Sequence, residues 1–222
     1  MILVAARDEA DRITATIEAL KEAFPGGRIV VADDGSRDGT SDLALGHGAE
    51  VVSRRRPHGK GASVTAAAAT VESLTELGDP PIFVLCDGDL GASARELARL
   101  VDAVGAGKCD LAVGAFSRRV GGGFGIALRF ARWAIERRCG YRAGAALSGQ
   151  RAMRADVLRA VLPFAPGYGM EVGMTIDAVR AGFTVRGIEL DLEHRATGRT
   201  LGGFAHRARQ LLDIARAWWK RR

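Results

Sequence analysis

Residues 82–89 of the chain read Ile-Phe-Val-Leu-Cys-Asp-Gly-Asp, an apolar run that ends in two acidic residues separated by a glycine. The run predicts a buried β-strand over Ile82–Cys86, followed by a turn. Four other short segments predict strands of the same kind: Met1–Ala5, Arg28–Ala32, Glu50–Ser53 and Asp110–Gly114. Apolar strands that alternate with helices indicate βαβ units with both faces of the sheet covered. We therefore predict an α/β fold, with a Rossmann-like, mostly parallel sheet and helices on both faces, in a single domain.

The helices between these strands are predicted from apolar residues at helical spacing. The second half of the chain is less regular: Leu147–Arg154 (LSGQRAMR) is typical of a turn, and Thr184–Leu190 predicts a late strand. The predicted helices are Glu9–Ala23, Ser41–Leu45, Ala62–Leu77, Ser93–Val104, Ile126–Arg138, Asp156–Leu162, Met170–Ala181 and Gly203–Arg222.

The composition is that of a globular protein, since the 222 residues are 47% hydrophobic and 26% charged. The net charge is +6, but residues 195–222 hold eight of the basic residues against one acid, which leaves 24 basic and 25 acidic residues elsewhere. A nucleic-acid-binding domain would carry its positive charge more widely, so we predict no nucleic-acid partner. The cysteines Cys86, Cys109 and Cys139 form no C-x-x-C pair. Without a secretion signal at the start, this pattern predicts reduced thiols in a cytoplasmic protein.

Polar side chains follow each predicted strand at its carboxyl end, which is where open parallel sheets bind ligands. Asp87 and Asp89 are two residues apart, so in an extended segment both carboxylates point the same way and could hold Mg²⁺ or Mn²⁺. A surface turn that caps a helix is the alternative, since Asp and Gly favour turns. His194, just after the late strand, could supply a third ligand, although a lone histidine is more often structural.

Two further loops suit a nucleotide. Asp33 and Asp34 could accept hydrogen bonds from a nucleobase and ribose, or could belong to a tight turn that caps the next helix. The basic, glycine-punctuated loop Arg54–Gly61 suits a diphosphate but departs from the Walker A pattern, because Gly61 follows Lys60 where Ser or Thr is required. Gly121–Ile126 does not fit G-x-G-x-x-G. These departures argue against an ATPase and against a dinucleotide-binding oxidoreductase.

Taken together, these motifs resemble those of family 2 glycosyltransferases with the GT-A fold. The resemblance covers nearly the whole chain, in the family's order: DDGSRDGT from Asp33, LCDGDL from Leu85 and SGQRAMRADVL from Ser148. GYGMEVGMTIDA (Gly167–Ala178) and EHRATGRTL (Glu193–Leu201) are most similar to glucosyl-3-phosphoglycerate synthases. Polyprenyl-phosphate sugar synthases are less similar, because they have R-x-x-G-x-S-K where this chain ends the motif with Thr200 and Leu201.

The resemblance implies a nucleotide-sugar donor, a divalent cation (Mg²⁺ or Mn²⁺) and a small phosphorylated acceptor such as 3-phosphoglycerate. It implies a donor-binding half over residues 1–114 and an acceptor half over 115–202. Glu171 would position or deprotonate an acceptor hydroxyl. The alternative, that it is simply an acidic residue at the N-terminus of a helix, stays open. The implied site residues are Glu9, Asp33, Asp34, Lys60, Asp87 and Gly88 for the donor; Asp87, Asp89 and His194 for the metal; Asp89 and Glu171 for catalysis; and Ser148, Gly149, Arg195 and Arg199 for the acceptor.

Three alternatives remain beside this hypothesis. The first is a polyprenyl-phosphate sugar synthase at a membrane surface, and the second is a non-catalytic membrane-surface adaptor with a degenerate transferase fold. The third, a sugar-phosphate nucleotidyltransferase, is disfavoured because such enzymes open with a glycine-rich loop and Ala5–Ala10 (AARDEA) has no glycine.

Residues 203–222 predict a basic, amphipathic C-terminal helix. Phe204, Leu211, Leu212, Trp218 and Trp219 fall on one side of a helical wheel and basic residues flank them. This apolar stripe could dock on the body of the protein, or it could lie in a membrane interface with the cations drawn to anionic lipid. The sequence leaves open a peripheral membrane contact through this helix, and a homodimer.

Overall fold

The computed structural model describes residues 1–72, 82–116, 125–192 and 201–221. Within them, seven strands form one sheet in the order β3-β2-β1-β4-β6-β5-β7. All neighbouring strands are parallel except β6, which runs antiparallel to both β4 and β5. The mostly parallel sheet predicted from the sequence is therefore confirmed. The strands are β1 (Ile2–Ala6), β2 (Ile29–Asp33), β3 (Glu50–Ser53), β4 (Phe83–Asp87), β5 (Leu111–Phe116), β6 (Arg151–Met153) and β7 (Val185–Leu190).

Helices cover both faces of this sheet. Successive strand residues point to opposite sides, so each face carries apolar side chains that the helices bury. In β1, Ile2 and Val4 belong to one apolar core and Leu3 to the other. Helices α1, α2 and α4 pack on the first core, and α3, α6 and α7 on the second. The described helices are α1 (Ile13–Ala23), α2 (Thr40–Gly46), α3 (Lys60–Glu72), α4 (Ala98–Gly105), α5 (Gly125–Cys139), α6 (Ala155–Val161), α7 (Met170–Arg180) and α8 (Leu201–Lys220), with 3₁₀ helices at Gly91–Leu97 and Gly167–Gly169.

Strand β6 corrects the sequence prediction of a turn over Leu147–Arg154. It pairs Arg151 with Leu85 of β4 and with Val113 of β5, so it joins these two strands, which have no direct pairing with each other. Three residues are too few to show a strand period, and a charged first residue argues against burial. Arg151 is nevertheless fully buried. Long-range pairing rather than local pattern creates this strand.

Predicted and observed helices also differ in their bounds, most of all in α1 and α4. Helix α1 begins at Ile13 rather than Glu9, because the Glu9 carbonyl accepts hydrogen bonds from the Arg12 and Ile13 amides and holds residues 9–12 in a turn. The helix predicted over Ser93–Val104 is a 3₁₀ helix followed by α4. Helix α3 begins at Lys60, and the end predicted for it, Leu77, lies outside the described residues.

Helix α8 docks on the body of the protein, but mainly through residues outside the predicted apolar stripe, since Leu212 and Trp219 of that stripe are exposed. Ile214 is buried in a third apolar core, which includes Ile135 of α5 and Val172 of α7, and Ala217 is buried as well. The approach is close, since a Cβ built at Gly169 would lie 2.7 Å from the Cβ of Ala217. Among the described residues, no helix has the length and apolar content needed to span a bilayer.

Candidate active site

The loops after β1 and β2 are joined by backbone-to-side-chain hydrogen bonds at the carboxyl edge of the sheet. The amide of Glu9 donates to Thr40 Oγ1 (2.9 Å), and the amide of Ala10 donates to Asp38 Oδ2 (3.0 Å). Asp38 also accepts from the Thr40 hydroxyl (2.6 Å), which completes a small network. Glu9, a predicted donor-binding residue, is thereby placed at this edge next to the loop of Asp33 and Asp34.

Asp33 is buried at the end of β2, and hydroxyl groups contact both of its oxygens. Its Oδ1 accepts from the amide and hydroxyl of Ser36, and its Oδ2 accepts from Ser41 (2.6 Å) and Ser53 (3.1 Å). Burial raises the pKa of Asp33, but these hydrogen bonds outweigh it, and the net pKa is below the ordinary value. The carboxylate is therefore ionised at neutral pH and shapes the turn.

Asp34 holds the start of α3. Its Oδ1 accepts from the His58 amide (2.8 Å) and the Ser63 hydroxyl (2.7 Å), and its Oδ2 accepts from the Gly59 amide (2.9 Å). These contacts tie the basic loop to the carboxyl end of β2. Both acids of the predicted nucleotide motif thus have a structural role.

Thr16 of α1, which is fully buried, supports the Asp87–Asp89 turn through two hydrogen bonds. The Thr16 hydroxyl donates to the carbonyl of Gly88 (2.8 Å) and accepts from the amide of Gly91 (2.8 Å). A Cβ at Gly88 would lie 3.2 Å from Ala6 and Ile13, so glycine allows the turn to sit close against β1 and α1. The predicted role of Gly88 at the donor site therefore acquires a steric reason.

Lys60, Asp87 and Glu171 form an ion-pair network. The Lys60 Nζ lies 2.6 Å from Asp87 Oδ1 and 2.9 Å from Glu171 Oε1. Burial would lower the pKa of Lys60, but the two carboxylates outweigh burial and raise it above the ordinary value. Lys60 is therefore a cation at any working pH. With Glu171 buried in the first turn of α7, the network joins the two halves of the chain.

Ser148 and Gly149, predicted on the acceptor side, lie directly beside this network. A Cβ at Gly149 would overlap the Lys60 Nζ and lie 2.8 Å from Asp87 Oδ2, so a side chain there would displace the ammonium from the network. The Ser148 hydroxyl donates to Gln150 Oε1 (2.9 Å), and the Gln150 amide nitrogen donates to Asp87 Oδ2 (2.8 Å). Both Asp87 oxygens consequently have a donor.

Arg151 supports Glu171 from within the core. Its guanidinium donates to the Ser148 carbonyl, the Thr175 hydroxyl and the Glu171 carbonyl, each at 3.0 Å. Burial lowers the pKa of Arg151 to about 10, against the opposing effect of the Glu171 carboxylate, so the side chain remains charged at neutral pH. It connects β6 to the first turn of α7 and thereby positions Glu171 next to Lys60.

Asp89 is the second acid of the motif and lies partly buried in the same turn. Its backbone carbonyl accepts from Arg12 Nη1 at 3.4 Å. In the described ranges, no group of three or more His, Cys, Asp or Glu side chains is arranged to hold a metal ion. Asp87 and Asp89 nevertheless fit Mg²⁺ or Mn²⁺, since such ions are commonly held by one or two carboxylates together with water and substrate phosphate oxygens.

His194, Arg195 and Arg199 lie outside the described residues, so their predicted roles at the metal and acceptor sites stay predictions. Within the described part, Lys60, Asp87, Gly149 and Glu171 come together as one cluster. Sequence reasoning missed a different group, the buried polar residues that support the cluster. These residues are Thr16, Gln150, Arg151 and Thr175. Of these, Gln150, Arg151 and Thr175 lie inside quoted motifs, but nothing local distinguishes a buried polar residue from an exposed one.

Comparison with known proteins identifies relatives along most of the chain. The family model described as "Glycosyl transferase family 2" matches residues 1–162. An undecaprenyl-phosphate mannosyltransferase of Micrococcus luteus is 29% identical over 221 residues, covering 90% of this chain and 86% of the relative.

Solved structures agree with this assignment. Glucosyl-3-phosphoglycerate synthase from Mycobacterium tuberculosis, in complex with phosphoglyceric acid, has a TM-score of 0.78 and 28% identity, covering 99% of this chain and 78% of that one. The same synthase with Mn²⁺, uridine diphosphate and glucosyl-3-phosphoglycerate has a TM-score of 0.74 and 28% identity, covering 97% and 78%. The fold, the carboxyl-edge site and the family match together show that this chain is a GT-A-fold enzyme that belongs to glycosyl transferase family 2.

Proposed function

We propose that this glycosyltransferase moves a sugar from a nucleotide-sugar donor to a small phosphorylated acceptor, in a metal-dependent reaction. The observation that carries the proposal is the Lys60 ammonium between Asp87 and Glu171 at the carboxyl edge of the sheet. A cation held there between two acids is suited to a diphosphate on one side and to an acceptor group on the other.

The donor would lie along the loops that follow β1, β2 and β4. Glu9, Asp33 and Asp34 would contact the base and ribose, and Lys60 would approach the diphosphate. A phosphate group that approaches Lys60 competes with Asp87 and Glu171 for the same ammonium, so donor binding would loosen the network. The related synthase binds uridine diphosphate, and this supports a nucleotide donor here.

Asp89 would be the direct carboxylate ligand of the divalent cation, with His194 beside it and Asp87 contributing through water. The engagement of both Asp87 oxygens by Lys60 and Gln150 supports this division of roles. The related synthase was crystallised with Mn²⁺, and in another crystal with Mg²⁺. When bound, such a cation would neutralise the charge that develops on the leaving nucleoside diphosphate.

The acceptor would lie between Glu171 and the segment of Ser148 and Gly149, with Arg195 and Arg199 binding its phosphate. Glu171 would accept the proton of an attacking hydroxyl, as a 3-phosphoglycerate-like acceptor requires. An acceptor that attacks through a phosphate oxygen would need no base, because the second pKa of a phosphate monoester is about 6. Glu171 therefore distinguishes the two kinds of acceptor.

A polyprenyl phosphate is the second candidate acceptor, and the identity to the undecaprenyl-phosphate mannosyltransferase favours it. The two candidates share a phosphate group but differ in the attacking atom. A cytoplasmic location fits both, since the three cysteines are free thiols.

Release of nucleoside diphosphate from UDP- and GDP-sugars, with and without Mn²⁺, tests the proposal with 3-phosphoglycerate and polyprenyl phosphate as acceptors. We expect metal-dependent release with one of them and its loss in Asp89→Asn, but not in the control Asp102→Asn on the exposed face of α4. Glu171→Gln should impair transfer to a hydroxyl and leave transfer to a phosphate nearly intact. Absence of turnover with every pair of donor and acceptor would favour the non-catalytic adaptor. Full metal-dependent activity of Asp89→Asn would refute the assignment of Asp89 as a metal ligand.

A further inference from the structure

An aromatic surface lies on the outer side of helices α5 and α8, away from the Lys60 network. It consists of Phe130, Trp133, Trp218 and Trp219, which we call the α5–α8 aromatic surface. Their rings form a chain of contacts, with centroids 5.6, 5.3 and 6.5 Å apart in that order. The chain has three tryptophans, and all of them belong to this surface.

Much of this apolar area is open to solvent. Trp133 and Trp219 are 47% and 57% exposed. Leu212, two turns before Trp219 on α8, is 56% exposed. Trp218 is held in place by α5, since the Arg138 guanidinium lies 3.9 Å from its ring centroid and donates to its carbonyl at 3.2 Å. A contiguous exposed group of large apolar side chains on a soluble fold marks an interaction surface.

Basic side chains surround the aromatic surface. Arg129 and Arg137 are exposed one turn either side of Trp133, and Arg216 is exposed one turn before Trp219, with Lys220 one turn after Arg216. The two acids on these helices have cations near them: Glu136 lies 2.8 Å from Arg142, and Asp213 lies 3.6 Å from Arg216. The charge of the surface is therefore complementary to an anionic partner.

From this arrangement we infer that the α5–α8 aromatic surface docks on an anionic lipid bilayer, with the tryptophans at headgroup depth and the cations against lipid phosphates. Tryptophan beside Lys and Arg is the combination that suits a membrane–water interface. The contact differs from the one expected of α8 alone, because the buried residues Ile214 and Ala217 fix α8 on the body. Trp219 of its apolar stripe is left exposed beside Trp133 of α5. The inference does not depend on which acceptor the enzyme uses.

The location of the tryptophans makes their fluorescence a direct reporter of this surface. Adding vesicles of phosphatidylcholine with phosphatidylglycerol to the full chain should shift the emission to the blue and sediment the protein. Pure phosphatidylcholine should do so weakly, and salt should reverse the binding. Arg216→Gln and Lys220→Gln should each lower the partition coefficient by about fivefold, from about 1 kcal/mol per cation.

The double variant Trp133→Ala/Trp219→Ala should lose most of the sedimentation while keeping its thermal stability and its nucleoside-diphosphate release. Matched controls are Leu45→Ala, which removes a side chain that is 55% exposed on α2, and Arg95→Gln, an exposed cation on the 3₁₀ helix. Both should bind vesicles as the unmodified chain does. The inference is wrong if anionic vesicles do not sediment the unmodified chain, or if the tryptophan variants bind equally well. A blue shift that depends on protein concentration without lipid, with a doubled mass in solution, would assign the surface to a second copy instead.

Discussion

Lys60 and Glu171 are 111 positions apart in the sequence, and the ammonium of the first donates a hydrogen bond of 2.9 Å to the carboxylate of the second. Because Lys60 begins α3 and Glu171 lies in the first turn of α7, this contact closes the two halves of the chain over the end of β4. Asp87 at that end shares the same ammonium. The network therefore joins two residues of the predicted donor-binding half, Lys60 and Asp87, to one residue of the predicted acceptor half, Glu171.

Replacing Lys60 tests that unit. Lys60→Met should reduce kcat by about 10²- to 10³-fold, the usual effect of removing one preorganised donor from a site where charge develops. The variant also leaves Asp87 and Glu171 as neighbouring carboxylates without their shared cation, so it should be less stable at neutral pH than at mildly acidic pH. Steady-state nucleoside-diphosphate release and chemical denaturation measure the two effects. Lys108→Met, on an exposed loop, is the control and should change neither.

Thr16 is predicted to hold the Asp87–Asp89 turn in its binding conformation. Thr16→Val keeps the side-chain shape but leaves the Gly88 carbonyl and the Gly91 amide without their hydroxyl partner, at a cost of about 1–3 kcal/mol in the free energy of unfolding. The affinity for Mn²⁺ and nucleoside diphosphate should fall as well, measured by calorimetry. Thr70→Val is a matched control, since the Thr70 hydroxyl likewise donates to a backbone carbonyl, that of Ala66. Thr70 lies on the exposed side of α3. Equal affinities in the two variants would contradict the role given to Thr16.

Asp33 should make the stability depend on pH in the acid range. Its folded-state pKa is below the ordinary value of 3.8, so its ionised form contributes stability above that pH, and this contribution is lost as the pH falls through the folded pKa. Asp33→Asn should therefore destabilise the protein most at neutral pH. The difference in the free energy of unfolding between the variant and the unmodified chain should shrink as the pH falls below 3.8. Denaturation at a series of pH values measures this. A constant difference would contradict it, and Asp42→Asn on the exposed side of α2 is the control.

The docking of α8 predicts unequal effects for two neighbouring side chains. Ile214→Ala should lower the free energy of unfolding by about 2–5 kcal/mol, because it opens a cavity in the core that α8 shares with α5 and α7. Leu212→Ala should change it by less than about 0.5 kcal/mol, because this side chain is mostly exposed. Urea denaturation of both variants decides the matter. Similar small effects would mean that the helix contributes little to the fold.

Local pattern was enough to predict the frame of the molecule. The apolar runs around β1, β2, β4 and β5 each span about five residues, which is long enough for a strand to be distinguished and for its carboxyl end to be located. The pattern consequently predicts that the acids at those ends lie at one edge of the sheet. Strand β6 was missed because three residues with a leading arginine have no such pattern.

The residues that support the site could not be predicted from local pattern. Thr16, Gln150 and Arg151 are polar and fully or nearly fully buried, and their burial is tolerated because each finds hydrogen-bond partners from distant parts of the chain. A polar residue of this kind is locally indistinguishable from one on the surface. Its role becomes visible once the partners are known.

The same division applies to the chain as a whole. Six of the seven described strands, the position of the acidic turns and the family could be read from residues that are close in sequence, because hydrophobic period and motif spacing are local properties. The pairing of Lys60 with Glu171, the insertion of β6 and the docking of α8 depend on contacts between residues far apart in the sequence, such as the ion pair of Asp177 with Arg221. Such contacts form when the packed core brings distant segments together, and no local pattern specifies their partners.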